Sequence, residues 1–358
     1  MAYVSGGVAG SILYMRMSAD DVAHFRAGHQ VLLRDASNYA VDVNAKVIAI
    51  AVNGASSYIQ VKLLEADDNG GANDLSDCDV ALIIGNINAE GATMPSSISY
   101  DPVKLYNYTQ IFRTPLSITR TARKTRLRTG DAYKEMKREA LELHGIEMEK
   151  AFLFGIKTEN TGDNGKPERT TEGLITNLRV NNPTGVNDFQ LNATYHGKDW
   201  LDDGGGEDWL ESQLMNLFMY GKNTKLVFCG NGALLGLNKL AKAGSHMTLT
   251  PTQAAYGIDI TEWITPYGKI YLKMHPLFNY EPTLRYSMLA FEPENLSYRF
   301  IDDTSFYGEG ENQKNASAGT NAGRKDGTDE EFLTEAGLEY HHPYTAAFLN
   351  GVGLDHTA

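Results

Sequence analysis

The chain has only two cysteines in 358 residues, Cys78 and Cys229. Two thiols exclude a disulfide framework and a four-cysteine zinc site. A reducing compartment at the time of synthesis is the simplest expectation. Long hydrophobic runs are also missing. The longest, such as Val80 to Ile84, fall far short of the roughly 18 residues a membrane span needs. Met1 to Met17 has no basic flank and no long apolar stretch, so it does not read as a signal peptide. Positive charge is in deficit: 32 Lys and Arg face 45 Asp and Glu, a net charge of −13. That argues against a protein that coats nucleic acid electrostatically. Enzyme signatures are scarce. No GxSxG or HExxH is present, and Gly165-Lys166 lacks the upstream glycine of a phosphate-binding loop and runs into Pro167.

What is present fits a soluble globular chain with a real core: 42% hydrophobic and 22% charged residues. Its length suggests two or three domains, or one with long excursions. From Gly28 to Gly91 the pattern is β. Val41, Val43, Ala45, Val47 and Ala49 alternate, with Ile48 and Ile50 on the other side; Tyr58 to Leu64 follows, and Asn53-Gly54 between them is a turn signal. Several short strands at this spacing predict a small barrel or sandwich. Leu105 to Arg113 and Leu116 to Thr121 read as two extended runs. Pro115 between them predicts a protruding hairpin or a sheet edge. The strongest helix spans Asp131 to Phe154, with Thr129 or Asp131 as cap and Gly155 as stop. Its apolar positions read Ala132, Met136, Ala140, Leu143, Ile146 or Glu147, Ala151 and Phe154, and Arg138 and Glu142 form an i,i+4 pair. Later come a helix with Trp209, Leu210, Leu214, Leu217 and Phe218 on one face, a strand Thr224 to Cys229, and a helix Ala233 to Ala243. A hairpin follows (Ile258 to Ile264, Lys269 to Met274), then strands Met288 to Phe291 and Leu296 to Ile301. Gly308 to Asp329 has no Val, Ile, Leu, Met or aromatic residue and should be mobile in an isolated subunit.

The candidate chemistry is thin. Gly230 to Gly236 follows a strand and opens a helix, as a dinucleotide-binding turn does, but its third glycine is one position late. A tight strand-to-helix turn is the plainer reading. Asp67 to Asp79 is acidic without the order of a calcium loop, and His341-His342 has no companion at metal-ligand spacing. No catalytic, cofactor or metal residue is therefore assigned. One charge anomaly stands out. Arg113, Arg120, Arg123, Lys124, Arg126, Arg128, Lys134, Lys137 and Arg138 crowd into a stretch with only Asp131 and Glu135. In so acidic a chain, docking of this basic arm on acidic surface of another copy is preferred over nucleic-acid contact.

Glu90-Gly91-Ala92, Asn107 to Phe112, Ser117 to Thr121, the charged helix ending Glu147 to Gly155 and the downstream Gly173-Leu174 together resemble tailed-phage major capsid proteins of the Hong Kong 97 type, SU-ten-like branch. The resemblance is most specific over Glu90 to Leu178. It implies an α+β fold with an N-terminal arm (1–27), an inserted small β-barrel-like domain (28–90) and an extended loop (91–128). A peripheral domain with a spine helix (129–204), an axial domain (205–300) and a returning segment (301–358) complete it. It implies a shell of hexamers and pentamers around double-stranded DNA, located in the virion after synthesis in host cytoplasm. Partners would be other copies of the chain, a scaffolding protein, a portal and a decoration protein, with no membrane. The expected assembly interface is Tyr106, Tyr108, Ile111, Phe112, Arg113, Arg120, Arg123 and Lys124 on the extended loop, with Lys134, Arg138 and Glu142 on the spine helix. Lys104 or Lys124 would be the lysine of any covalent crosslink. Competing readings are a cytoplasmic nucleotide-binding enzyme using Gly230 to Gly236, and a decoration or carbohydrate-binding protein using the β-domain.

Overall fold

The computed structural model describes residues 7–36, 42–67, 75, 78–98, 104–125, 130–243, 249–254, 258–307 and 327–356. They fall in two compact units, 1–103 and 104–358.

In the first unit, alternating apolar residues build five antiparallel strands. These are β1 (Ile12–Arg16), β2 (His29–Arg34), β3 (Asp42–Ala51), β4 (Tyr58–Leu63) and β5 (Val80–Asn86), in spatial order β1-β4-β3-β2-β5. A short helix, α1 (Ala19–Ala23), starts where the Ser18 side chain accepts from the Asp21 amide. Val31, Leu33, Val43, Ala45, Val47, Ile59, Val61 and Leu63 share the buried face, and Val22 and Phe25 close over it. The register of β3 on β4 slips between Val47 and Ala49, and beyond this bulge Ile48 and Ile50 are exposed. Two expectations change. Residues 12–16, assigned to an arm, are a strand of this sheet, because Leu13 and Met15 pack on its core. The sheet is also open rather than barrel-like. Among the described residues β1 pairs only with β4 and β5 only with β2, since one covered face suffices to bury the apolar stripe.

In the second unit, β6 (Gln110–Thr119) runs straight through Pro115 as one strand, so of the two expectations, hairpin or sheet edge, the structure shows the edge. It is an edge strand, and there a missing donor is tolerated. After α2 (Arg120–Lys124) comes the long helix α3 (Ala132–Phe154), capped by the Asp131 side chain on the Tyr133 amide. Its buried residues are Ala140, His144 and Leu153, while Leu143 and Phe154 are exposed. The buried stripe thus lies one position from the one the apolar pattern predicts at those points, because a polar residue, His144, takes an inward place.

A hairpin, β7 (Thr158–Thr161) with β8 (Pro167–Thr170), leads to α4 (Leu174–Asn181). Where α3 ends and α4 begins, two backbones touch. The Gly173 amide donates to the Gly155 carbonyl at 2.9 Å. A Cβ on Gly155 would lie 2.4 Å from the Thr171 carbonyl oxygen, and one on Gly173 2.6 Å from the Gly155 nitrogen. Gly173→Ala should therefore cost about 1–3 kcal/mol as an overpacking change. Chemical denaturation of the full-length chain checks this, and an unshifted midpoint would show the contact to be yielding.

The remaining strands are β9 (Val186–Asp188), β10 (Thr224–Cys229), β11 (Leu249–Ala254), β12 (Ile258–Ile264), β13 (Lys269–Met274), β14 (Met288–Phe291), β15 (Leu296–Tyr307), β16 (Gly327–Tyr340) and β17 (Ala347–Asn350). The remaining helices are α5 (Gly206–Leu217), α6 (Asn231–Lys242) and α7 (Pro276–Tyr280). Seven strands form one sheet in the order β11-β12-β13-β10-β14-β17-β9. Trp209, Leu210, Leu214 and Leu217 of α5 and Ala233, Leu237 and Leu240 of α6 cover one face. Leu153 of α3, Leu174, Ile175 and Leu178 of α4, and Leu277 and Phe278 of α7 cover the other. The result is an α+β unit with helices on both faces of a mixed sheet. A separate antiparallel sheet, β15-β16-β6, lies under α3. Gly327 to Asp329, expected to be mobile, is its first stretch of β16, paired to Thr119, Ile118 and Ser117 of β6. The rest of that expected mobile segment, 308–326, lies outside the described residues.

Candidate assembly surface

The period of two along β6 sorts its side chains. Phe112, Thr114, Leu116 and Ile118 turn inward and are buried, and Ile111, Arg113, Pro115 and Ser117 turn outward. Phe112 is only 6% exposed and meets the Phe152 ring edge-on at 5.9 Å. It is therefore a core residue of its own chain and not part of an exposed tip, contrary to the sequence expectation. Ile111, 57% exposed, and Tyr106, 63% exposed, stay open, as does Leu105.

Tyr106 is held in place while exposed. The Lys157 ammonium sits 4.2 Å from its ring centre and donates to its carbonyl at 3.1 Å. Its ring also meets that of Tyr108 edge-on at 5.7 Å. Tyr108 is half-buried, with the Arg169 guanidinium 5.7 Å from its ring centre. Hydrogen bonding to the Glu159 carboxylate pushes its phenol pKa up.

Between the two tyrosines stands Asn107, which the sequence reading did not single out. Its Nδ2 donates to Leu338 O (2.9 Å), Thr171 Oγ1 (3.1 Å) and Glu172 O (3.2 Å). Its Oδ1 accepts from the amides of Glu172 (2.7 Å) and Tyr108 (2.8 Å). One amide side chain thereby ties the start of the strand to the turn before α4 and to β16. The only sequence-level hint is a polar residue set between two aromatics.

Three of the basic residues expected at the interface, Arg113, Arg123 and Arg138, have partners within the chain. Arg113 binds Glu331 with two bonds, 2.6 and 2.8 Å, which raises its pKa through the hydrogen bond first and charge second. The Arg123 guanidinium lies 4.7 Å from the Tyr133 ring centre, and the Lys137 ammonium 3.4 Å from that of Phe306. Arg138 pairs with Glu135 at 2.6 Å, one turn back, instead of with Glu142. Lys124, Lys134 and Glu142 are exposed, and so is Lys104. Arg120 belongs to α2, and its side chain lies outside the described ones. Among the described residues two further strand edges are open. β5 reads Val-Ala-Leu-Ile-Ile-Gly-Asn, without charge or proline, and exposes Leu82 and Ile84. β15 exposes Phe300 and Ile301. The uncharged β5 edge invites pairing with another chain, whereas β15 carries Arg299, Asp302 and Asp303.

The glycine-rich turn is no cradle. A Cβ on Gly230 would meet the Arg285 carbonyl at 2.3 Å, on Gly232 the Tyr286 ring at 2.7 Å, and on Gly236 Gly353 at 2.5 Å. The Asn231 amide is taken by Asn279 Oδ1 at 2.8 Å. The chain's own backbone fills the space that a pyrophosphate would need, so these glycines serve close packing. Cys229 is buried, and burial pushes its thiol pKa up. His341 pairs with Glu339 at 2.8 Å. Asp68, Asn69, Asp74 and Asp77 of the acidic turn lie outside the described residues. Among the described residues no three His, Cys, Asp or Glu side chains are grouped to hold a metal.

Exposed apolar side chains on strand edges and an anchored but exposed tyrosine leave surface for a partner, while the nucleotide-like turn is closed by its own chain. The family model for SU10 major capsid protein matches residues 21–353, and the chain belongs to that family. The major capsid protein of Pseudomonas phage PaMx41 is 30% identical over 210 residues, which is 55% of this chain and 46% of that protein. The chain thus spans about half the length of that curated relative. Three solved structures are similar at low identity. The SrpI encapsulin complex from Synechococcus elongatus is 11% identical (70% of this chain, 75% of that one, TM-score 0.43). The satellite phage P4 procapsid is 13% identical (75% and 84%, TM-score 0.39). The capsid of Myoviridae phage XM1 is 9% identical (98% and 87%, TM-score 0.37).

Proposed function

We propose that this chain is the shell subunit of a tailed-phage head, forming the hexamers and pentamers of an icosahedral container for double-stranded DNA. The observation that carries this reading, beside membership of the family, is the two-sided strand β6. Its inner face is rooted in the chain by Phe112, Leu116 and Ile118, and its outer face presents Ile111 next to Tyr106. In this reading residues 91–128 act as the extended loop, α3 as the spine helix of a peripheral domain, and the seven-stranded sheet with α5 and α6 as the axial domain of a Hong Kong 97-type subunit. The five-stranded unit would be an elaboration on that plan. Its free β5 edge and the outer face of β6 are where neighbouring copies add contacts, by strand addition or apolar cover. Head-to-tail contacts of that kind close into rings. A scaffolding protein, a portal and a decoration protein are the further partners, and the virion is the place of action.

Electron microscopy of the purified full-length chain tests the proposal. Closed shells, or rings of five and six subunits, are expected. A chain that stays a monomer both alone and with the other head proteins of its phage would overturn it.

A further inference from the structure

Where α3 meets the sheet β15-β16-β6, the contact is centred on a histidine. His144 is 1% exposed, and both of its ring nitrogens are engaged. Nδ1 lies 2.9 Å from Thr114 Oγ1 on β6, and Nε2 lies 2.7 Å from Thr334 Oγ1 on β16. Thr114 Oγ1 donates in turn to Glu147 Oε2 at 3.3 Å, and Thr334 Oγ1 lies 2.9 Å from Thr304 Oγ1 on β15.

These contacts admit one consistent placement of protons. The Thr114 hydroxyl has a single proton, and Glu147 takes it. Thr114 must then accept from His144 Nδ1–H, which leaves Nε2 as an acceptor. Thr334 donates to Nε2, and Thr304 donates to Thr334. A one-way hydrogen-bond chain, Thr304–Thr334–His144–Thr114–Glu147, therefore crosses all three strands and is anchored to the helix at two points.

We propose that this seam is a proton-sensitive latch: uptake of a proton by His144 loosens α3 from the sheet that carries the exposed strand β6. A second proton on the ring makes Nε2 a donor. Thr334 must then turn its own proton toward Thr304, and that half of the chain reverses out to Thr304, which is exposed. The bonds can be remade, but a cation is left between buried groups.

The surroundings do little to accept that cation. From β6 the inward neighbours are Phe112, Leu116 and Ile118, without charge. From β16 come the Phe332 ring, 6.2 Å from the imidazole, and Glu330, which is already engaged by the Tyr133 hydroxyl at 2.6 Å. From β15 comes Phe306, capped by Lys137, itself a cation. From α3 comes Glu147, the one carboxylate in the chain of bonds. Burial outweighs Glu147 and holds the His144 pKa below its ordinary 6.5. The sign follows. An unfolded chain takes up the proton before the folded one does. The stabilisation is therefore complete above pH 6.5 and is lost as pH falls from there through the lowered value.

The test uses the full-length chain. Hydrogen exchange at the histidine ring carbon, followed by mass spectrometry, reads the titration of His144 directly. Amide exchange reads the protection of α3 and β6 from neutral to mildly acid pH. The expected result is a His144 midpoint below 6.5, with protection of α3 falling in the same window. His144→Gln, which keeps a polar side chain that cannot titrate, should abolish that pH dependence. A midpoint at or above 6.5, or the same acid loss in His144→Gln, overturns the latch. If the variant does not fold, the ring exchange of the native chain decides alone. These readouts concern the chain by itself. Only the consequence for assembly rests on the shell reading, and it is measured separately. Native particles should change radius in mild acid and His144→Gln particles should not; equal responses would detach the latch from assembly and leave the shell reading intact.

Discussion

Lys225→Met should destabilise the seven-stranded sheet by about 3–5 kcal/mol, the usual cost of leaving one partner of a buried ion pair alone. Lys225 is fully buried on β10. Its ammonium donates to Glu292 Oε1 (2.5 Å), Tyr220 O (3.0 Å) and Thr345 O (3.1 Å), so all three of its protons are used. Burial pulls the lysine pKa down, and the bond to Glu292 pulls it back up. Glu292 also accepts from the Lys222 amide (2.6 Å) and from Asn295 Nδ2 (2.8 Å). The pair therefore fastens β10 to the end of β14 and to the turn before β17. Methionine fills the volume but strands a buried carboxylate and two carbonyls. Trp200, Trp209 and Trp263 all lie in the neighbouring core, so their fluorescence during chemical denaturation reports the loss. A midpoint close to that of the native chain would show the pair to be dispensable. Adding Glu292→Gln should recover part of the loss, because the remaining buried group is then neutral.

Ile111→Asp should abolish assembly while the chain still folds. Ile111 is more than half exposed and touches no core cluster, so the stability change should stay within about 1 kcal/mol. In an interface the same carboxylate would be buried without a partner, a cost of several kcal/mol repeated at every copy. Sedimentation separates the two effects: a folded, unassembled chain is expected. Phe112→Asp is the contrasting change: Phe112, next along the strand, faces the core, and this variant should fail to fold. If Ile111→Asp assembled like the native chain, the outer face of β6 would not be a contact.

Local signals in the sequence located the longest helix and several of the strands. A cap at Asp131, a stop at Gly155 and three-and-four spacing place α3 to within a residue, and the strand-turn-helix around Gly230 stands where it reads. The β12-β13 hairpin does too. What was hidden depends on distance along the chain. The partner of β6 is β16, more than 200 residues away, so nothing local says which face of the strand it will bury. Phe112 was assigned to the surface for that reason. Asn107 finds acceptors at Thr171, Glu172 and Leu338, none of them near in sequence. His144 takes an inward place because Thr114 and Thr334 satisfy it, and an apolar pattern does not register a histidine. Arg138 had carboxylates in reach on both sides, Glu135 and Glu142, and spacing rules alone do not choose between them.

In the proposed shell, the open side of the segment from Tyr106 to Ile111 is covered by another copy of this chain. Hydroxyl-radical footprinting of assembled particles against the unassembled chain measures that cover residue by residue. The expected result is strong protection of Tyr106 and Ile111 on assembly, with Phe112 protected equally in both states. Particles in which Tyr106 and Ile111 react as readily as in the free chain would contradict it.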